Sequence, residues 1–474
     1  MALLVLALVG CAAGLVSGLL SGPLWLDETL SVEIARLPLP DLYAGLRQDG
    51  APPVYYLLLK AWLSVFGTGT IAVRLPSVLL TVLALLLASR VGTRISGSTA
   101  GGRAAVVTGA SLPWMMRFGS ETRMYLLVVV LVLAGTLALL AVHRTGSRRA
   151  VLALAAVVAT LLLTHYWSLF LLASVGVLHL PGLLRRRPAA VRVAVAGVLG
   201  ALAFLPWLPT FLFQAVHTGA PWADPVRPID FLFTPRYWGG GTATQRTVLA
   251  VLLVSLVALA AVRVRAARPV VFVAGLTLLL AWASVFVGGG AYAGRYTAVV
   301  VPLVTTAVTL GALSLRGRRL PMVALTAFCL VGLGTGIPAA GNLRTTAGEV
   351  ASVLRTSAAP GDLIVYCPDQ MAPPVARLLV DDYRQVVYPS LGPPERVDWV
   401  DYAERQTAAT ATGTALELSA LAGSSAVFLV TASGYRTFEG DCERLFRQLG
   451  RRLGQVEHLH GTIGTGDTLV WRYP

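Results

Sequence analysis

Glu121 is the only acidic residue between Asp49 and Asp224. It stands two residues before an arginine, in Ser120-Glu121-Thr122-Arg123-Met124-Tyr125. A second acidic pair, Asp27-Glu28, directly follows the first hydrophobic segment in Trp25-Leu26-Asp27-Glu28-Thr29. Thr164-His165-Tyr166-Trp167 and, after the Gly288-Gly289-Gly290 run, Gly294-Arg295-Tyr296 complete the unusual residues of a largely apolar stretch. Carboxylates and imidazoles move protons, and the arginine fork holds paired oxygens of a phosphate or carboxylate. An isolated charge at the boundary of an apolar segment needs a reason, because taking it out of water without a partner is costly. Each of these groups also has a plainer reading. Asp27-Glu28 fits the first turn of a juxtamembrane helix, where the dipole favours carboxylates. Glu121 and Arg123 fit an ion pair at a helix end, His165-Tyr166-Trp167 an interfacial aromatic belt, and Arg295-Tyr296 a snorkelling anchor.

The elements that carry these residues follow from composition. With 56% hydrophobic residues, 13% charged residues and a mean hydropathy of +0.72, the chain departs from soluble domains, which are about 25% charged. It reads as a polytopic membrane protein. The net charge of +15 does not point to nucleic acid, because it is confined to one part of the chain. Residues 1–339 hold 26 Lys and Arg against 8 Asp and Glu, whereas 340–474 hold 12 against 15. Eleven apolar runs are long enough to cross a hydrocarbon core about 30 Å thick, with tilt or local thinning for the shorter ones. They cover about 2–22, 73–89, 102–118, 124–142, 150–164, 168–184, 193–213, 246–262, 270–288, 297–315 and 320–338. A twelfth apolar patch, 54–66, is too short to span.

Arginines fix the orientation, since short cytoplasmic loops accumulate them. Arg90, Arg94 and Arg103 follow the second run, Arg144, Arg148 and Arg149 the fourth, Arg185, Arg186, Arg187 and Arg192 the sixth, Arg263, Arg265 and Arg268 the eighth, and Arg316, Arg318 and Arg319 the tenth. The expected topology therefore has a cytoplasmic N-terminus, odd-numbered runs ending outside, and an extracytoplasmic C-terminal part, in a plasma membrane. The first segment lacks a basic start and a cleavage site and reads as a retained helix. Asp27-Glu28, Glu121-Arg123, His165 and Arg295 all fall at odd-numbered exits, so they converge on one external face. An active site there explains the convergence.

At these residues the chain resembles a known family. The Trp-Leu-Asp-Glu after the first helix, Pro52-Pro53-Val54-Tyr55-Tyr56-Leu57-Leu58 leading to Trp62, Arg74-Leu75-Pro76-Ser77, Glu121-Thr122-Arg123-Met124-Tyr125, Thr164-His165-Tyr166 and Arg295-Tyr296 stand in that family's order. Together they resemble GT-C glycosyltransferases of the protein O-mannosyltransferase and lipid A aminoarabinose transferase type, over residues 1 to about 310. One departure is Ala51-Pro52-Pro53, where members often carry His-Pro-Pro. The resemblance implies a GT-C membrane fold that transfers a sugar, with inversion, from a polyprenyl monophosphate carrier to a hydroxyl of a glycan, glycolipid or protein. It implies Asp27 as the general base, Arg123 and Arg295 as phosphate ligands with His165 beside them, Glu121 as a partner of Arg123 or of sugar hydroxyls, and Glu28 as a holder of base or acceptor. Tyr166 and Tyr296 accompany the site as binding residues. The branches resembled use no metal, so none is expected.

Two external stretches, 23–72 and 214–245, join the spans, the second rich in aromatics and proline. Residues 54–66 would form an interfacial helix roofing the site, and 214–245 a loop over lipid-linked donor or glycan. The expected domains are thus a transmembrane part, 1–339, and a small α/β domain, 340–474. In the latter, Asp362 to Tyr366, Gln385 to Tyr388, Ala426 to Val430 and Thr468 to Arg472 read as strands, and Met371 to Val380 and Thr437 to Gln448 as helices. No Gly-rich phosphate loop follows the first strand, which favours acceptor binding or partner docking there. Cys11 and Cys329 fall in spans, whereas Cys367 and Cys442 lie in the exported part, where a disulfide can form. No Cys or His cluster has zinc spacing, and His458-Leu459-His460 reads as surface. A transporter or flippase for a lipid-linked sugar, or a non-catalytic scaffold, remains the alternative. Against a transporter stand the lack of an inverted repeat and of an ionisable residue in mid-span.

Overall fold

The computed structural model describes residues 1–288, 290–379, 383–432, 440–461 and 468–474. They divide into two compact units, one of Met1–Ser21, Ala51–Leu212 and Pro225–Asn342, the other of Gly22–Gly50, Phe213–Asp224 and Leu343–Pro474. The stretch expected as one loop over 23–72 is thus shared: its first part belongs to the second unit, and the remainder, including the helix Val54–Phe66, to the first.

Each of the eleven apolar runs is mainly helical, and among the described residues six helices are long and apolar enough to cross a membrane alone: Ala2–Leu19, Thr70–Ser96, Tyr125–Thr145, Ala243–Arg263, Arg265–Gly288 and Arg319–Gly341. A seventh arises if Pro188–Leu202 and Leu205–His217, bent by 41°, count as one span. The remaining runs are shorter as helices for readable reasons. Run 102–118 splits into Thr99–Ala110 and Pro113–Phe118 because Leu112, held extended at φ −77° and ψ 120°, precedes Pro113. A residue before proline is disfavoured in the α region. The bend after Phe204 has a different cause: Leu205 and Leu208 stay in the α region, and Pro206 and Pro209 instead lack the amide donors of a continuous helix. Run 297–315 opens as a 3-10 turn, Gly294–Val299, before Val301–Leu313. These breaks leave backbone groups exposed within apolar surroundings, and every one must find a partner.

Among its described residues the second unit holds a five-stranded sheet of order β2-β1-β3-β5-β4. Its strands are β1 (Leu363–Cys367), β2 (Arg384–Val387), β3 (Val427–Ala432), β4 (Glu457–Gly461) and β5 (Thr468–Tyr473). β1 lies between β2 and β3, parallel to both, in the register Val365 with Val386 and Leu429; β5 runs antiparallel to β3 and β4. Leu363, Val365 and Cys367 bury one face under the helices Ala411–Ala422 and Asp441–Leu453, while Ile364 and Tyr366 bury the other under Ala347–Ser357. Burial on both faces is why β1 reads as an unbroken apolar run. The expected helix over Met371 to Val380 is confined to Ala372–Ala376, with Val380 outside the described residues, and the expected helix over Thr437 to Gln448 starts at Asp441, with 437–439 outside them. The His458-Leu459-His460 triplet forms β4, where His460 faces Glu349 at 3.4 Å.

Cys367 at the end of β1 and Cys442 in the first turn of Asp441–Leu453 are disulfide-bonded, with Cα atoms 5.5 Å apart, whereas Cys11 and Cys329 are free and buried. Next to the bridge, Asp369 accepts a 2.5 Å hydrogen bond from Tyr402. Burial nonetheless pushes its carboxyl up to about 7.

Denatured, unreduced protein should alkylate at two of its four cysteines and at all four after reduction; four before reduction would exclude the bridge. The Asp369 shift also fixes a pH dependence. A carboxyl raised in the fold holds its proton there while the unfolded chain has lost it, so its stabilising contribution is complete below about pH 4 and is lost as pH rises through about 7. Thermal melts should therefore show the second unit losing on the order of a few kcal/mol over that window, and Asp369→Asn should flatten the loss.

Candidate active site

In the first unit the site is built around the turn 119–124, which joins Pro113–Phe118 to Tyr125–Thr145. Two residues of the Arg74-Leu75-Pro76-Ser77 motif, three apart and so on one helix face, support it. The buried Arg74 donates to the carbonyl oxygens of Gly18 and Leu19 at 3.4 and 3.2 Å, closing the C-terminal end of the first helix. Ser77 donates to the Glu121 carbonyl at 2.5 Å. A Cβ on Gly18 would collide with Ser120, so only glycine lets the first helix approach this turn. The Glu121 carboxylate, fully buried, accepts a bond from Arg117 one helical turn earlier. Arg117 escaped the sequence reading, although its i,i+4 spacing from Glu121 was visible.

Arg123 donates to the hydroxyl of the buried Tyr56 at 3.2 Å. Tyr56 belongs to Val54–Phe66, whose first amide, Val54, bonds the Leu163 carbonyl at 3.0 Å. That bond ties the Tyr55-Tyr56 helix to the turn that carries His165. His165 lies in this turn, between the helices Arg148–Leu162 and Ser168–Leu184 and outside both. Its Nδ1 accepts from the Trp167 amide at 3.2 Å, and its ring lies 5.3 Å from Tyr296 and 6.2 Å from Tyr125, centroid to centroid. Burial, reinforced by the positive charges of Arg123 and Arg295, pushes the imidazole down to about 3. His165 is therefore neutral in the working range, and both guanidiniums act on it.

Arg295 sits in the 3-10 turn Gly294–Val299 with its guanidinium 5.4 Å from the Tyr296 ring. Trp114 donates to the Gly294 carbonyl at 3.1 Å, and Trp238 donates to the Thr297 hydroxyl at 2.8 Å. Thr234 and Tyr292 pair hydroxyls at 2.7 Å. Trp167 closes the wall against Tyr292 and Tyr296 at 5.4 and 5.7 Å. The aromatic residues of 225–245 thus serve in part as anchors for the arginine turn. Gly289 of the glycine run lies outside the described residues. Tyr166 turns elsewhere: its hydroxyl accepts from Trp207 at 2.9 Å and its ring packs on Phe211, so Trp207 is a packing residue at the helix bend. The fold thus gathers Arg123, His165, Arg295 and Tyr296, with Glu121 beside Arg123 in the turn. Two cations beside a neutral imidazole and aromatic faces can hold an oxyanion and pack an apolar or sugar surface.

Asp27 and Glu28 belong to the second unit, in the first turn of Leu26–Arg36. Glu28 is fully buried and faces Arg344 at 3.6 Å, itself 3% exposed. Asp27 is half-buried, and its carbonyl accepts from Ser31. Successive helix positions point about 100° apart, so one acid of the pair is committed to an ion pair and the other stands at a different angle. Arg344 was not foreseen, since it follows the last apolar run among polar residues with no spacing that ties it to Glu28. Among the described residues no three His, Cys, Asp or Glu side chains converge as a metal would require.

Breaking a buried ion pair typically costs about 3–5 kcal/mol. Arg344→Ala should lower the melting temperature accordingly, and Glu28→Gln combined with Arg344→Met should recover part of the loss; a neutral single variant would remove the pair from the structural account.

No family model matches the chain, and no curated protein matches it significantly. Among solved structures it is similar to ArnT from Cupriavidus metallidurans in the apo state, with a TM-score of 0.60 at 14% identity, covering 98% of this chain and 97% of that one. It is also similar to ArnT from the same organism bound to undecaprenyl phosphate, with a TM-score of 0.57, the same identity and the same coverage. The likeness includes the C-terminal sheet domain, which the sequence motifs did not reach. The chain therefore has the fold of ArnT, a GT-C membrane fold with a small C-terminal sheet domain.

Proposed function

We propose that this chain is an inverting glycosyltransferase that moves a sugar from a polyprenyl monophosphate carrier to an acceptor hydroxyl at the external membrane face. The observation that carries the reading is the pair of guanidiniums, Arg123 and Arg295, beside the neutral His165 and an aromatic wall. A neutral imidazole can hydrogen-bond a phosphate oxygen while leaving the charge balance to the arginines. The ArnT structure bound to undecaprenyl phosphate supports a carrier of this class.

In the proposed reaction the acceptor oxygen bonds to the anomeric carbon while the bond from that carbon to the phosphate oxygen breaks. Asp27 takes the acceptor proton, and the polyprenyl phosphate leaves with the bonding electron pair. Arg123 and Arg295 offset the charge that grows on the leaving group, a role worth most where it is preorganised. The bond that Arg123 donates to Tyr56 and the cation–π contact of Arg295 with Tyr296 fix those two guanidiniums beforehand. Glu28, held by Arg344, positions the turn on which Asp27 sits.

The orientation proposed is an N-terminus in the cytoplasm and the second unit outside. In support, that unit is assembled from the segments that follow the first, seventh and eleventh apolar runs. All three are odd-numbered exits, and the arginine clusters occupy even-numbered ones.

The test is the purified protein in lipid with a panel of polyprenyl-phosphate sugars labelled in the sugar and a membrane extract as acceptor. Wild type should release or transfer label from one donor. Asp27→Asn should lower turnover on the order of 10²–10⁴-fold with donor binding retained, and Arg295→Ala should weaken donor binding on the order of 10-fold or more, as expected for a lost charge-assisted bond. Bound donor whose label never leaves the carrier would favour a lipid-sugar transporter instead. A C-terminal tag reached only from the cytoplasm would overturn the orientation.

A further inference from the structure

In an open α/β sheet, ligands settle outside the carboxyl ends of the parallel strands, where the strand order reverses. In the second unit that point lies at β1, because the chain passes first to β2 on one side and then to β3 on the other. The helix Tyr402–Ala408 is docked there by the Tyr402 hydroxyl on Asp369, just beyond the end of β1. One turn further along the same face stands Gln406, only 8% exposed, whose Nε2 has no hydrogen-bond partner among the described residues.

Gln406 lines a cavity of about 420 Å³ together with Thr407, Thr410, Thr412, Asp441 and Arg444. That volume falls within the range of small-molecule sites, about 300–1,000 Å³. The cavity receives the start of Ala411–Ala422, whose N-cap Thr410 makes no side-chain capping bond and whose first turn carries no acid. The positive end of that helix is therefore uncompensated by its own residues. Opposite it, the first turn of Asp441–Leu453 contributes Arg444, whose side chain is 56% exposed and which is bonded to Asp441. Hydroxyls, the amides of Gln406 and Gln448, the Asp441 carboxylate and the Arg444 guanidinium line this space, and among the described residues no aromatic ring does. Recognition there rests on hydrogen bonds and on the exposed side of the Arg444 guanidinium, whose other side is bonded to Asp441.

We propose that this cavity binds the acidic end of a glycan, sugar hydroxyls with a carboxylate or phosphate attached. The oxyanion meets Arg444 and the amides that open Ala411–Ala422, while Gln406 and the threonine hydroxyls meet the sugar hydroxyls. A buried amide donor that gains a partner on binding penalises ligands lacking the matching acceptor. Binding rests on the second unit alone. That the bound glycan is the acceptor rests on the transferase reading, and Leu26, next to Asp27, packs on the same core cluster as Cys442 and Leu445 of the cavity's helix.

The experiment is calorimetric titration of the full-length protein in detergent with glucuronate, glucose 6-phosphate, glucose and inorganic phosphate. The acidic sugars should bind, glucose and phosphate alone at least 10-fold more weakly. Arg444→Gln should weaken binding of the acidic sugars 10-fold or more, and Gln406→Leu should weaken the sugars but not phosphate, with unchanged melting temperatures as the check on folding. Equal affinity for phosphate alone would reduce the site to an anion pocket and overturn the glycan assignment. Binding untouched in both variants, or none by any probe, would overturn the site. Asp27→Asn should leave these affinities as they are, so failure of the transfer reaction and failure of this site are read separately.

Discussion

A charge or a broken helix inside an apolar body must have its polar groups met by neighbouring side chains, because no water is at hand to do it. The turn 119–124 shows how far this constraint reaches. Proline 113 interrupts a run that would otherwise cross as one helix, and the resulting turn needs Ser77 for a carbonyl, Arg117 for a carboxylate and a glycine on the first helix to admit it. Arg74 meets the same need at the end of the first helix. The break in regular structure is thus what places Glu121 and Arg123, and its supports come from three separate helices. The Arg295 turn repeats the pattern, with Trp114, Trp238 and Thr234 supplying anchors around irregular backbone. Irregular backbone in a membrane protein is tolerated where protein surrounds it or where it lines a cavity, and the two arginine turns are surrounded by such anchoring side chains.

Much of this was legible in the sequence because hydropathy is a one-dimensional signal. All eleven apolar runs are mainly helical, and the residues that looked out of place, Arg123, His165, Arg295 and Tyr296, do come together in space. The reading that failed to separate them was local: His165-Tyr166-Trp167 looked like one belt, but successive side chains of a turn diverge, sending Tyr166 to Trp207 while His165 meets Tyr296. Where runs break was also written in the chain, at Pro113, Pro206 and Pro209, yet a hydropathy window averages across a proline and reports one span.

What the sequence hid were partnerships across long separations. Glu28 and Arg344 are more than 300 residues apart, and nothing in either neighbourhood announces the other. Arg377 likewise meets Glu33 across 344 residues, and His217 meets Asp401 across 184. These pairs belong to segments 22–50 and 213–224, whose helices looked like surface loops because their partner surface lies in a distant stretch of chain. Arg123 and Tyr56 escaped for the same reason, since Tyr56 read as one of several interfacial aromatics until its hydroxyl was seen to hold the guanidinium.

The second unit is therefore not a domain in the order of synthesis. Its first piece emerges directly after the first helix, its second after some 200 residues, and its sheet only after the last membrane helix. Until that moment Glu28 has no Arg344 and Glu33 no Arg377, whereas Leu46, whose carbonyl meets the Gln214 amide in the finished fold, precedes it in synthesis. The membrane helices must consequently be threaded before the sheet can close on its early segments. Expressed as a fragment beginning near residue 343, the sheet would leave out Leu26 and Trp222 from its core and Glu33 from Arg377. Assembly of this half of the molecule thus waits on completed insertion of the other, which makes its folding a late report on whether every earlier segment was threaded the right way round.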